Sequence, residues 1–458
     1  MGSSAVVDVL VIVWWTYIYQ LFLPIAGIWL IGLCWVAQRE RVNQTLFLAL
    51  AVGLLVYCRL PVLLFNQELN PDESQVIASA ITLQIDPVHW RLTDGATSGP
   101  LNAYALALPG WLGLSINYMV ARLVGLCLLI GTLLSFFSTV KQWLGTSVAR
   151  LALLPVVTLL SFTQFNDYVH FSSEHVPLFL LSMTWWLLAR FRQKPSAGGL
   201  YAIGLVAGMV PFAKLQAVPL ALVTVVMAVT LSRKSRPAGE TGPFWVIGML
   251  LSTAMFVVFL PGREFQHYML LLLFPLGFWC ALWISILPGN PRTANVVSWG
   301  AALMALLIVG LRTPINQFSG GKEVGPSTSA VGTTVTKYTR SGDCLAVWGW
   351  VAKYYVDTQL PQAVQDGNTI RCIFGSQNSL HRYQNRLLTA IRLKRPAVFI
   401  DVTGKPLPWF RDAPLFGHDK VMPALRQFID EHYRFVGVVD EVRIYVRKDR
   451  LFDTQPIS

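Results

Sequence analysis

Charge is scarce in this sequence: Asp, Glu, Lys and Arg together supply 13% of its 458 residues, whereas 54% are hydrophobic. Soluble domains carry roughly a quarter charged residues, so the shortage excludes an ordinary soluble chain and points to a bilayer. Cysteine is sparse as well, with 6 in all. Cys34, Cys58, Cys127 and Cys280 lie in apolar segments as small packing residues. No pair of cysteines has metal-ligand spacing, which argues against a structural zinc site. Cys344 and Cys372 fall in the hydrophilic C-terminal part, where the sequence leaves a disulfide open without fixing it. The first apolar stretch, Val9 to Ala37, lacks the early positive charge and small-residue cleavage site of a secretory signal. It reads instead as a membrane helix with Pro24 inside it.

What is abundant is apolar sequence in lengths suited to a hydrocarbon core of roughly 30 Å. Ten segments qualify: 9–37, 45–65, 117–139, 148–165, 175–191, 198–212, 215–231, 243–260, 268–288 and 295–311. The pair around Lys214 is short. If alternate connections are cytoplasmic, they hold Arg39, Arg41, Lys141, Arg150, Arg190, Arg192, Lys194, Arg233, Lys234, Arg236 and Arg292. Within residues 1–312 the opposite side receives only Arg91, Lys214, Arg263 and Arg312. The positive-inside rule therefore predicts that the connection after Phe65 and the tail after Arg312 are both external. Residues 1–312 hold 17 basic and 11 acidic side chains, so half of the net charge of +12 is this topological surplus and the other half belongs to a mildly basic tail, with no sign of nucleic-acid binding. Glu68, Asp72, Glu73, Asp86, Asp94, Asp167, Glu174 and Glu264 all fall on or near the external side. Such a set suits a reaction site, or acids avoiding an anionic cytoplasmic leaflet.

The external connection from Phe65 to Asn117 runs to about fifty residues, far beyond a usual loop, and long loops carry function. It opens on "NPDESQ". Asn70 predicts a helix cap, Pro71 suits the first helical position, and Glu73 falls where a capping acid reaches back. Asp72 has no such complete structural duty. Val76, Ile77, Ala80 and Ile81 form a stripe opposite Gln75, Ser79 and Thr82, the pattern of a helix lying in the membrane interface. Farther on, Trp90 and Tyr104 read as interface anchors. His89, Arg91 and Asp94 are candidates for a polar ligand or for headgroup contacts.

An acidic pair at the start of the first large external loop is followed by "TSGPLNAY", "FSSEHVPLFLL", "GLVAGMVPFAKLQAVPLAL" and "GREFQHYMLLLLFPL". This order of motifs, over residues 45–312, resembles the polyprenyl-phosphate-sugar-dependent glycosyltransferases of the GT-C fold, a group that includes protein O-mannosyltransferases, aminoarabinose transferases and core-polysaccharide transferases. The resemblance implies that Asp72 accepts a proton from an acceptor hydroxyl as its oxygen attacks the sugar's anomeric carbon, with Glu73 beside it. A departing phosphate needs cationic or hydrogen-bonding partners, for which Lys214, Arg263, His267 and Tyr268 are the candidates. Glu174 matches an acid of the family's "SE" segment, and it shares a predicted helical face with His170; both are candidates on the acceptor side, as are Arg91 and Asp94. A divalent cation is the one cofactor left open, with no metal ligands assigned. The turn "TSGPL" lacks the lysine of the aminoarabinose transferases, so their lipid specificity does not carry over.

Residues 313–335, rich in Gly, Ser, Thr and Pro, predict a linker. Beyond it, "DCLAVWGW" and "AVFIDVT" predict buried strands, Ser379–Lys394 and Met422–His432 predict helices, and "YRFVGVVDEVRIYVRKD" predicts paired strands. Trp348 and Trp350 are expected in the core, with contact to an acceptor or the membrane as the alternative. This C-terminal part has no glycine-rich phosphate loop and no nucleophile motif, which leaves positioning of an acceptor, or scaffolding, as its role.

The expected whole is a polytopic α-helical membrane protein of about ten spans with a C-terminal extracytoplasmic α/β domain: residues 1–312 membrane-embedded and catalytic, including the loop 66–116, then the linker 313–335, then 336–458. The expected partners are a polyprenyl-phosphate sugar, a cell-envelope glycan, lipid or protein acceptor, and membrane lipids. A secondary transporter is the alternative, although only Arg59 and Arg122 lie more than a turn inside spans and no inverted repeat is visible. A non-catalytic scaffold with an external binding domain would leave the external acids unexplained.

Overall fold

The computed structural model describes residues 4–39, 41–95, 98–233, 242–262, 265–287, 291–312, 329–404 and 413–451. Packing divides the chain into two compact units, Met1–Phe65 with Arg122–Val324, and Asn66–Ala121 with Gly325–Ser458. The segment Asn66–Ala121 thus clusters with the C-terminal region, whereas the sequence assigned 66–116 to the membrane part.

In chain order the first thirteen helices are α1 (Ser4–Ala37), α2 (Gln44–Leu64), α3 (Pro71–Leu83), α4 (Pro100–Trp111), α5 (Tyr118–Leu144), α6 (Thr146–Phe162), α7 (Asn166–Val169), α8 (His175–Gln193), α9 (Ala197–Ala213), α10 (Val218–Arg233), α11 (Gly242–Phe259), α12 (Leu270–Ile286) and α13 (Pro291–Arg312). Among the described residues, five segments are long and apolar enough to cross a membrane: Gln44–Leu64, Tyr118–Leu144, Leu215–Ser232, Gln266–Ile286 and Arg292–Gly310. Leu21–Ala37, Thr146–Phe162, Ala197–Ala213 and Phe244–Phe259 are shorter apolar helices. Exposed Trp245, Trp283, Trp299, Leu303 and Leu306 present the apolar exterior that lipid would cover.

Within this unit α6 packs on α1, α2, α12 and α13, while α8, α9 and α10 pack together. Aromatic rings fill the centre. Phe136 and Phe278 lie 4.8 Å apart, and Trp185 meets Phe278 edge-on at 5.4 Å. Buried arginines finish the helices. Arg150 donates to the carbonyls of Arg39 at 2.7 Å and Val42 at 2.5 Å, just past α1. Arg122 donates to Val62 at 3.1 Å and to Phe65, at the end of α2. A cation there satisfies orphan carbonyls and sits favourably at the negative end of the helix dipole.

The second unit contains α3, α4 and an α/β domain: α14 (Ala330–Thr336), β1 (Leu345–Trp348), α15 (Lys353–Thr358), α16 (Gln377–Lys394), β2 (Val398–Asp401), α17 (His418–Val421), α18 (Pro423–His432), β3 (Tyr433–Val439) and β4 (Val442–Arg447). The strands form one sheet in the order β1-β2-β4-β3. β1 and β2 are parallel and the remaining pairs antiparallel. Asp440 and Glu441 both have positive φ, as a two-residue hairpin requires. Trp348 is buried and donates Nε1–H to the Phe416 carbonyl at 2.8 Å. Cys344 and Cys372 are free thiols. Residues 313–328 of the expected linker lie outside the described residues, and its end is helix α14, capped by Ser329.

One expectation is overturned. α3 is not an interfacial helix with a wet polar stripe, because Ser79 and Thr82 are buried together with Val76, Ile77 and Ile81. The Thr82 hydroxyl donates to the Ala78 carbonyl at 2.8 Å and accepts from the Gln362 N–H at 3.0 Å, and Ser79 accepts from the Thr93 hydroxyl at 2.7 Å. Hydroxyls satisfied in this way can be buried at little cost.

Candidate functional site

Three separated segments of the first unit bring charged side chains to one buried place. Glu174 stands at the residue before α8, Lys214 occupies the extended break between α9 and the turn Leu215–Ala217, and His267 sits in the turn Gln266–Met269 that leads into α12. Lys214 is extended there, with φ −161° and ψ 121°, so the helix stops and its ammonium turns inward.

Glu174 is 0% exposed and Lys214 4%. The ammonium forms a short ion pair with Glu174, donates to Ser173 Oγ at 2.8 Å, and lies 4.8 Å from the centre of the Tyr268 ring. Those three contacts occupy the three directions an ammonium can offer. His267 Nδ1 is 3.2 Å from Asp167, its Nε2 is 4.0 Å from Glu174, and its ring meets His170 edge-on at 6.2 Å. Burial pushes the Glu174 carboxyl up, but Lys214 and His267 outweigh it and hold it well below the ordinary carboxylate range. The cluster sets Glu174 between the Lys214 ammonium and one nitrogen of His267, with Asp167 on the other nitrogen, and can bind a polar group or carry a proton through His267. Its charges balance closely, so a bound phosphate would have to share Lys214 with Glu174 or displace the Tyr268 ring.

Lys214, Glu174, His170, His267 and Tyr268, all chosen from sequence, therefore meet. Arg263 lies outside the described residues. Ser173 and Asp167 join the cluster although the sequence did not single them out; Asp167 was visible only as one of the acids expected on the external side. Beside it, Arg59 and His170 line a small cavity with Arg122 and His175. Arg59 is buried with its Nε and Nη2 unpartnered, and so is His170 Nε2.

The remaining candidates lie in the second unit. Asn70 caps α3 by accepting from the Asp72 N–H at 2.9 Å, with Pro71 at the first helical position. This cap separates the two acids. Glu73 is buried and Asp72 exposed, and Gln75 Nε2 donates to Asp72 Oδ1 at 3.0 Å. Behind Glu73 a buried polar group joins Glu68 and the hydroxyls of Ser74 and Tyr118. Burial raises the Glu68 carboxyl above its usual range, with Ser74 and Lys353 opposing it. Arg91 and Asp94 do not join Asp72. Arg91 forms a two-pronged pair with Asp86, while Asp94 meets Arg386 at 3.2 Å. His89 is buried against Trp90, and both its ring nitrogens lack hydrogen-bond partners.

Asp401, His418 and Asp419 are the one group among the described residues with donor atoms close enough for a metal ion. His418 Nδ1 lies 2.6 Å from Asp401, but Arg443 Nη2 is 2.6 Å from Asp401 and 3.1 Å from Asp419. Burial would raise the Asp401 carboxyl, yet His418 and Arg443 hold it low. A guanidinium already balances both carboxylates, so the group does not fit a divalent cation.

No protein-family profile matches the chain, and no curated protein matches it.

Proposed function

We propose that this protein is a membrane glycosyltransferase that moves a sugar from a polyprenyl-phosphate carrier to a hydroxyl acceptor. Ten apolar helices cross the plasma membrane in this reading, with the basic connections cytoplasmic and the 66–116 loop and C-terminal domain extracytoplasmic. Asp72 takes the proton of the acceptor hydroxyl as its oxygen bonds to the anomeric carbon, and the bond from that carbon to the carrier phosphate breaks. Lys214, His267 and Tyr268 meet the leaving phosphate, with Arg263 as a further candidate. Glu174 fixes Lys214 and His267.

The observation that carries the proposal is the convergence of Glu174, Lys214, His267 and Tyr268, from three separate sequence motifs, on one buried cluster. Structural ion pairs are also buried in proteins. What favours function is that a charged group was brought to the end of each of three apolar segments, where a leucine would be cheaper.

Purified protein in lipid, incubated with labelled polyprenyl-phosphate hexoses and pentoses and candidate acceptors, tests it. Asp72→Asn should lower transfer by about 100-fold or more, the usual span for a general base. Undiminished transfer by the variant would remove Asp72 from the base role. The second reading, a transporter, draws on Arg59 and Arg122, which are 4% and 3% exposed within apolar spans. Substrate-driven flux in vesicles, without transfer from any carrier, would favour it.

A further inference from the structure

We infer that the C-terminal domain fixes the Asp72 carboxylate through a relay of two side-chain amides, Gln75 and Asn368, and that both are positioning residues for the transfer. The inference rests on the base role proposed for Asp72.

The relay has a single direction. The Ile370 N–H can only donate, and it donates to Asn368 Oδ1 at 3.2 Å. The Asn368 amino group therefore turns to Gln75, donating to Oε1 at 2.7 Å. With its oxygen so engaged, Gln75 directs its own amino group at Asp72 Oδ1, 3.0 Å away. Reversing either amide would set two acceptors or two donors face to face. One backbone N–H of the C-terminal domain thus sets which way a glutamine on α3 must point, and the carboxylate receives a donor from a defined direction.

The segment that carries Asn368 is itself anchored along the loop. The Gln362 N–H donates to the Thr82 hydroxyl at 3.0 Å, one face of α3 and two turns from Gln75. The Asp94 N–H donates to the Gln365 carbonyl at 2.7 Å, and Gln365 Nε2 donates to the carbonyls of Trp90 at 3.1 Å and Arg91 at 2.9 Å. Arg386 bridges Asp94 and Asp366. Gly367 lets the segment come close: a Cβ there would stand 3.1 Å from Gln362 Nε2 and 3.4 Å from Gln75 Cγ, crowding the relay. These contacts give a function to the domain in which the sequence shows no chemistry of its own. A base must be held within a narrow range of positions to act, and its supporting shell decides whether it is.

Two signatures distinguish positioning from structure. Gln75→Leu should lower kcat about tenfold with KM for the labelled polyprenyl-phosphate sugar within twofold of wild type. Asn368→Leu should lower kcat about three- to tenfold. Because Asn368 acts only through Gln75, the double variant should be no slower than Gln75→Leu alone. The near-isosteric Asn368→Asp and Gln75→Glu keep the volume but set acceptor against acceptor and add a negative charge beside Asp72, and should lose at least as much kcat as the leucine variants. Losses that multiply in the double variant, or a loss confined to KM, would overturn the relay. If Asp72→Asn is inactive while the Gln75 and Asn368 variants turn over normally, the relay alone fails. If Asp72→Asn is itself fully active, the base role fails and takes the relay with it.

Discussion

A buried ammonium against a buried carboxylate cannot lose one member cheaply. Removing a single partner of such a pair strands the other charge away from water, at about 3–5 kcal/mol. Glu174→Gln should therefore destabilise the protein by about that much, and Lys214→Met similarly, whereas the double variant should cost less than their sum. Thermal unfolding in lipid nanodiscs measures all three. The pH dependence follows from Glu174, whose folded-state pKa is lowered by Lys214 and His267 against the opposing effect of burial. A lowered carboxyl contributes stability that is present above its unfolded value of about 4.5 and disappears as pH falls through the folded value of about 2. The share of the gap between wild type and Glu174→Gln that the Lys214 pair carries should thus persist from pH 8 to 5 and close only in strong acid. At this scale the sequence disclosed which residues were unusual but not their pairing. Lys214 and Glu174 stand 40 residues apart, and a cation at a helix break reads equally as a headgroup contact until its neighbour is known.

Among elements, the apolar helices were the most legible, because a hydrocarbon-length run of Leu, Val and Phe leaves little choice but helix. The strands and long helices of the C-terminal domain were legible from alternation and capping. α3 was legible as a helix from Asn70 and Pro71 and illegible in its surroundings. Its polar stripe is the surface a membrane-interface helix would show, yet here Thr82 and Ser79 are matched by groups contributed from elsewhere, Gln362 lying 280 residues away. Thr82→Val tests this directly, since it preserves shape while leaving the Gln362 N–H buried without its acceptor. The expected cost is about 1–3 kcal/mol, seen as a lower melting temperature and faster proteolysis of the C-terminal domain. An interfacial α3 with a wet Thr82 would tolerate the change almost without effect.

For the whole molecule, the distribution of basic residues makes an orientation prediction that cysteine labelling can check. In a background without the six native cysteines, Val88→Cys should react with a membrane-impermeant thiol reagent added to intact cells. Pro195→Cys, beside Arg192 and Lys194, should react only after permeabilisation; the reverse pattern would invert the topology. The division into two units was the least legible feature. A loop between two apolar helices reads as part of the membrane domain, and nothing local announces that its partner lies at the far end of the chain. That arrangement also sets a schedule for synthesis. Gln75 and Asn368 are 293 residues apart, and at roughly 5–20 residues per second the ribosome needs roughly 15–60 s to travel between them. During that interval α3 has been made but its covering segment has not, and its apolar side, with Thr82 still unmatched, is open to any chaperone or misplaced strand that reaches it first.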